Sequence, residues 1–147
     1  MPELHDSDVR DAIKSRMGLL QPDARGKWGS MTVDQMLWHV SSALEMCLGH
    51  LDSRGETGPP LPKSWLRFAV LNMPWPKGTP TMQALKATKR YDFQTELTRC
   101  LQLIDEFAAR PIESRWPVHP VLGNMRGSQY SRLQAKHILH HLEQFGA

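Results

Sequence analysis

Histidines are the residues of this chain whose types and spacing could do chemistry, and three of its seven fall within Lys136-His137-Ile138-Leu139-His140-His141-Leu142-Glu143-Gln144. On a helix, residues four apart share a face, so His137 and His141 can grip one ion. Two buried imidazoles side by side carry polar nitrogens that need partners, and two protonated ones repel. A bound divalent cation relieves both problems. Two ligands make a weak chelate, whereas catalytic zinc sites commonly take three protein ligands and keep a fourth position for water or substrate. The third ligand must come from another element. His39 is the best candidate because it lies nearest the apolar stripe of another helix; His5 is close to the terminus, His50 sits at a helix end, and His119 is a loop-borne alternative. Taken alone, an H-x-x-x-H pair arises easily by chance and reads first as ordinary core or surface histidines satisfied by hydrogen bonds.

Other site patterns are missing. Ile138 stands where a zincin would carry glutamate, and there are no paired E-x-x-H motifs for a di-iron bundle. The chain also lacks a G-x-G-x-x-G loop, a P-loop and a G-x-S-x-G elbow.

The elements that must position these histidines follow from periodicity. Residues 6 to 17 form the first helix, with Val9, Ala12, Ile13 and Met17 at helical spacing after an Asp6-Ser7-Asp8 start and before Gly18. The second begins at Thr32-Val33-Asp34-Gln35, where Thr32 can cap and Gln35 can reach back. Met36, Val40, Ala43, Leu44, Cys47 and Leu51 make its apolar stripe, with His39 on one flank and Trp38 facing roughly the other way. From Asp52 to Pro80 the prolines at 59, 60, 62, 74, 76 and 80 forbid a long helix, although Ser64 to Asn72 could form a short one. This segment carries Trp65, Phe68 and Trp75, and reads either as a pocket wall or, with preference, as a packed cover over one end of the domain.

The third long helix runs from about Asp92 to Ala109, with Phe93, Leu97, Cys100, Leu101, Ile104 and Phe107 on one face and Pro111 stopping it. Residues 111 to 127 are a loop containing Trp116-Pro117-Val118-His119-Pro120-Val121-Leu122-Gly123, and the fourth helix follows, capped near Ser128 and continuing to Phe145. At about 100 degrees per residue, Tyr130, Leu133, His137, His141 and Gln144 share a narrow inward arc flanked by Gln134 and Phe145. Four such helices without alternating strands predict an all-α four-helix bundle with a proline-rich insert between helices two and three, in a single domain over residues 1 to 147.

Composition narrows the function classes. No apolar run approaches the length of a bilayer span, and the N-terminus is acidic and polar where a secretory signal would be basic and then apolar, so the expected location is cytoplasmic. Cys47 and Cys100 are isolated on apolar stripes, which points to burial and not to a disulfide framework. A net charge of +3 carried by scattered Lys and Arg gives nucleic-acid binding little support.

Trp38-His39-Val40, followed about a hundred residues later by the H-x-x-H-H-x-x-Q run from His137 to Gln144, resembles the DinB/YfiT-like superfamily. The stretch His119-Pro-Val-Leu-Gly and then Arg132 to Gly146, ending in HxxHHxxQFG, is especially similar to an uncharacterised branch of it. The resemblance covers most of the chain in order of elements, with its strongest motif in residues 116 to 146. It implies a DinB-like four-helix bundle, often dimeric, with a three-histidine divalent-metal site whose ligands map to His39, His137 and His141. It also implies a spread of activities, from transferases and isomerases using low-molecular-weight thiols to metal-dependent hydrolases, so the fold does not name the reaction. Many relatives carry an acidic residue shortly after the helix-two histidine; this chain has Ser41-Ser42, which argues against a carboxylate base from that position.

The leading expectation is therefore a metal-dependent enzyme acting on a small molecule. The ion, zinc or nickel before iron or copper, activates a water or thiol, and Gln144, Tyr130 or His140 orients the ligands or the nucleophile. The alternative is a non-catalytic, metal-stabilised bundle serving as a binding or stress-related interaction module, with Trp65, Phe68 and Trp75 facing a partner or a second copy. A fourth protein ligand such as His119 would mark that case.

Overall fold

The computed structural model describes all 147 residues and contains five α-helices and no strand. α1 (Ser7–Met17) begins on Asp6, whose carboxylate accepts a hydrogen bond from the Asp8 N–H at 2.9 Å, and buries Ile13 and Met17. α2 (Val33–Leu48) begins where Gln35 Oε1 accepts from the Thr32 N–H at 3.0 Å. Gly49 ends it at φ 82°, a left-handed conformation in which its N–H returns to the last helical carbonyls. α3 (Lys63–Asn72) follows Pro62, and a single 3-10 turn (Gln83–Leu85) precedes α4 (Phe93–Ala109) and α5 (Gly127–Gln144).

α2 is the centre of the molecule. Thirteen of its sixteen residues are buried, more than one apolar stripe would require, because neighbours cover it on several sides. Its most extensive pairing is with α4, a lighter one joins it to α5, and the 3-10 turn rests on it as well. α1 packs on α4 and α5, whereas α3 touches only α5 among the helices. Cys47 and Cys100 are free and wholly buried, as their positions on apolar stripes predict, and burial raises both thiol pKa values, that of Cys100 to about 12.

Asp34 fastens the approach to α4. Arg90 donates to both of its carboxylate oxygens at 3.0 to 3.2 Å and the Tyr91 N–H donates at 2.7 Å. Burial alone would raise the Asp34 carboxyl, but these donors outweigh it and hold its pKa at about 2. The clasp fixes the chain that also carries Leu85, whose carbonyl becomes part of the site.

Three expectations need correction. α2 ends at Leu48, so Leu51, expected as the last residue of its apolar stripe, lies beyond the helix. α5 starts at Gly127 with Arg126 as its cap, two residues before the expected cap near Ser128, and Gln129 Oε1 closes its first turn by accepting from the Arg126 N–H at 2.9 Å. A Cβ at position 127 would collide with the Ile112 carbonyl and the Trp116 indole, so the close approach of the 112–116 loop requires glycine there. The proline-rich segment is also less a packed cover than a wall. Trp65 and Phe68 are exposed, while Trp75 is partly buried, donates its indole N–H to Val70 O at 2.8 Å and borders a cavity. No helix is long and apolar enough to cross a membrane.

Candidate metal centre

His39 on α2 meets His137 and His141 on α5 where those helices stand apart. His137 Nε2 lies 2.8 Å from His39 Nε2 and 3.1 Å from His141 Nε2, and the three nitrogens lie within 4.8 Å of one another. Ring centroids are 4.7, 4.9 and 4.7 Å apart and the rings are steeply inclined to each other, with interplanar angles of 78°, 80° and 77°.

The outer nitrogens fix the tautomers. His39 Nδ1 is 2.7 Å from Leu85 O, which can only accept, so the proton sits on Nδ1. His141 Nδ1 is 2.7 Å from Gln144 Oε1. The orientation of that amide is set by its other end, because Gln144 Nε2 donates to Trp28 O at 2.8 Å. His141 Nδ1 is therefore a donor too. In the neutral rings both Nε2 atoms carry lone pairs, and both face His137 Nε2. One proton on His137 Nε2 can satisfy one neighbour and not the other. At least one pair of lone pairs is left opposed.

Protonation is a poor remedy. Burial, and then the charge that would stand on His39, pushes His141 down to about 3. Burial likewise lowers His39 against the opposing effect of the Leu85 carbonyl, and burial followed by its two neighbours holds His137 well below the ordinary histidine range. The arrangement suits a small cation. Ligand nitrogens ~2.0–2.1 Å from a tetrahedral zinc lie ~3.3 Å from one another, close to the 2.8 and 3.1 Å by which His137 Nε2 is separated from its two neighbours. Three neutral imidazoles, two of them with protonated, hydrogen-bonded Nδ1 atoms, can hold a divalent metal, and the donor set alone does not select which one.

The trio borders a cavity of about 490 Å³ walled largely by apolar groups, among them Met46, Val70, Trp75, Met82, Leu85 and Leu133. No Lys, Arg, Asp or Glu lines it. Lys136 braces the α3 wall from outside by donating to Val70 O at 2.7 Å with its ammonium over the Trp75 ring.

The remaining sequence candidates separate. Gln144 touches the trio directly through His141. His140 is half-buried between Trp28 and Trp75, 5.5 Å from each ring, and borders the cavity without a hydrogen bond to the trio. Tyr130 is engaged elsewhere: its hydroxyl donates to Pro117 O at 2.9 Å and its ring stacks on Trp116. His119 stays outside the trio, with Nδ1 accepting from the Val121 and Leu122 N–H groups. His5 bonds to Ser131 and Arg110, and His50 pairs with Glu106. Sequence reasoning missed the two backbone carbonyls, Leu85 O and Trp28 O, that complete the support. One closes a short 3-10 turn and the other lies in an irregular loop, and neither carries a side-chain signal.

A family model described as a protein of unknown function, DUF1569, matches residues 3–147. No curated protein and no solved structure matches the chain significantly. The match spans nearly the whole sequence, and the chain belongs to the DUF1569 family.

Proposed function

We propose that this protein is a divalent-metal-dependent enzyme of the DinB/YfiT-like type, in which His39, His137 and His141 hold the ion. α1, α2, α4 and α5 would be its four-helix bundle, with α3 in the proline-rich insert. The carrying observation is that three imidazole Nε2 atoms, two of them fixed as lone pairs, converge beside an apolar cavity of about 490 Å³. When bound, zinc or nickel, or else iron, supplies a Lewis acid that lowers the pKa of a water or low-molecular-weight thiol in the open position, for transfer or hydrolysis.

The chain's own residues do the rest. Leu85 O and Gln144 Oε1 hold protons at the outer nitrogens of His39 and His141, which keeps both rings turned inward and their Nε2 atoms basic. The apolar walls bind the organic part of a substrate and exclude water. With serines at 41 and 42 and no carboxylate at the cavity, His140 is the group placed to accept a proton. Burial, partly opposed by Glu143, lowers its pKa and keeps it neutral at pH 7.

Cobalt(II) substitution tests this reading. The visible spectrum of the cobalt-loaded protein should change when a small thiol is added, because a coordination position is open. A spectrum indifferent to added thiol and anion would mean a closed site, making the ion a structural staple in a non-catalytic module.

A further inference from the structure

Two residues that border the cavity beside the histidine trio each have a polar atom without a partner: a histidine N–H, and a glutamine oxygen that is closed off from the cavity until its side chain turns. Gln134 is 2% exposed; its Nε2 donates to Cys47 Sγ at 3.0 Å, and its Oε1 is buried with no hydrogen bond. A buried carbonyl oxygen loses its water and gains nothing in return, so native structures rarely leave one unless something else supplies the donor. His119 is the complement. Its Nδ1 lone pair accepts from the Val121 and Leu122 N–H groups at 3.1 and 3.0 Å, so the ring proton must sit on Nε2. That N–H has no acceptor in the fold, and the side chain borders the same cavity as Gln134. The two come from neighbouring places: the His119 ring packs against Tyr130, centroids 6.2 Å apart, and Gln134 is one turn further along α5.

We propose that His119 and Gln134 form a donor–acceptor pair that seats the hydroxyl or amide group of an uncharged, largely apolar small molecule in the cavity beside the histidine trio. This rests on the reading of that cavity as the substrate pocket and names the class of compound that enters it. An alcohol or primary amide can both accept from His119 Nε2–H and donate to Gln134 Oε1. A carboxylate only accepts, and would set its charge against the Gln134 oxygen. Local charge points the same way: no cationic side chain lines the cavity, and His119 is itself neutral because burial, with the Lys63 charge adding to it, lowers its pKa to about 4, so apart from an ion on the trio the pair offers a carboxylate no counter-charge. The volume lies within the roughly 300–1,000 Å³ of small-molecule sites.

The test uses three compounds of one shape: 2-phenylethanol, ethylbenzene and phenylacetate. Each is titrated into the metal-stripped full chain, followed by amide NMR shifts, so that ligation to an ion cannot contribute. 2-Phenylethanol should bind about tenfold more tightly than either of the others. Gln134→Leu, which keeps the side-chain volume, should bring the alcohol and ethylbenzene to parity, and Gln134→Met should do the same if the leucine variant does not fold. Equal binding of the alcohol and ethylbenzene by the wild type, tighter binding of phenylacetate, or an unchanged preference in the folded variant would each overturn the proposal. Metal content measured in parallel separates the two readings. An alcohol preference without stoichiometric metal sinks the metal assignment alone, and stoichiometric metal without the preference sinks this pair alone.

Discussion

α2 is treated differently on its two sides. Toward α4 it packs closely, with Cys100, Ile104 and Phe107 wholly buried. Toward α5 the pairing is lighter, and the two helices diverge around a cavity that α3 and the prolines after it wall off. Polar side chains collect on the second side: His39, Gln134, His137 and His141 all border the gap. The comparison separates two ways of covering one helix. The α4 side is filled by the chain itself, although Ser41 Oγ is buried there without a partner, whereas the α5 side leaves imidazole lone pairs facing one another beside open space.

If the two sides do different jobs, a large defect on the closed side should weaken the fold and leave the site's chemistry intact. Phe107→Ala should lower unfolding free energy by about 3–5 kcal/mol in denaturant titrations while the folded fraction keeps its metal content. Metal lost without loss of stability would break the distinction.

Acid should act on the open side. In the metal-free protein the histidine trio resists protonation, while the unfolded chain takes up protons near pH 6.5. The stability contributed by neutral histidines is therefore present above about pH 6.5 and lost as pH falls toward the folded values, about 3 for His141. Melting temperature should fall between pH 7 and 5, each histidine contributing at most about 1.4 kcal/mol per pH unit. The slope should flatten in His141→Phe. An unchanged slope in that variant would place the titration elsewhere.

Support of the ligands is a finer matter. Gln144→Leu removes the acceptor on His141 Nδ1 and should weaken metal affinity about 10–100-fold in chelator competition. Gln144→Glu restores an acceptor and should recover most of it. The smallest effect is expected on α3, where Trp65 and Phe68 are 67% and 63% exposed. Replacing both with Ser should shift stability by no more than about 0.5 kcal/mol. A change in oligomeric state would instead mark that face as an interface.

The parts legible in the sequence were those written in side-chain periodicity. α4 could be read from Leu97, Cys100, Ile104 and Phe107, and its limits from Asp92 and Pro111. His137 and His141 share a helical face by spacing alone, and His39 joins them because α2 is the buried helix opposite. What stayed hidden was set by contacts distant in sequence. The start of α5 depends on how closely Ile112 and Trp116 approach Gly127. Trp75 became a wall because Lys136 and Val70 hold it there, while Trp65, on the same segment, faces outward. The backbone acceptors that fix two tautomers have no residue type to betray them.

Metal content by elemental analysis of the purified chain, compared with that of His137→Ala, tests the centre most directly. The wild type should carry about one divalent ion per chain and the variant essentially none at unchanged helical content. A wild type that takes up no zinc or nickel after reconstitution, or a variant that retains its ion, would contradict the three-histidine site.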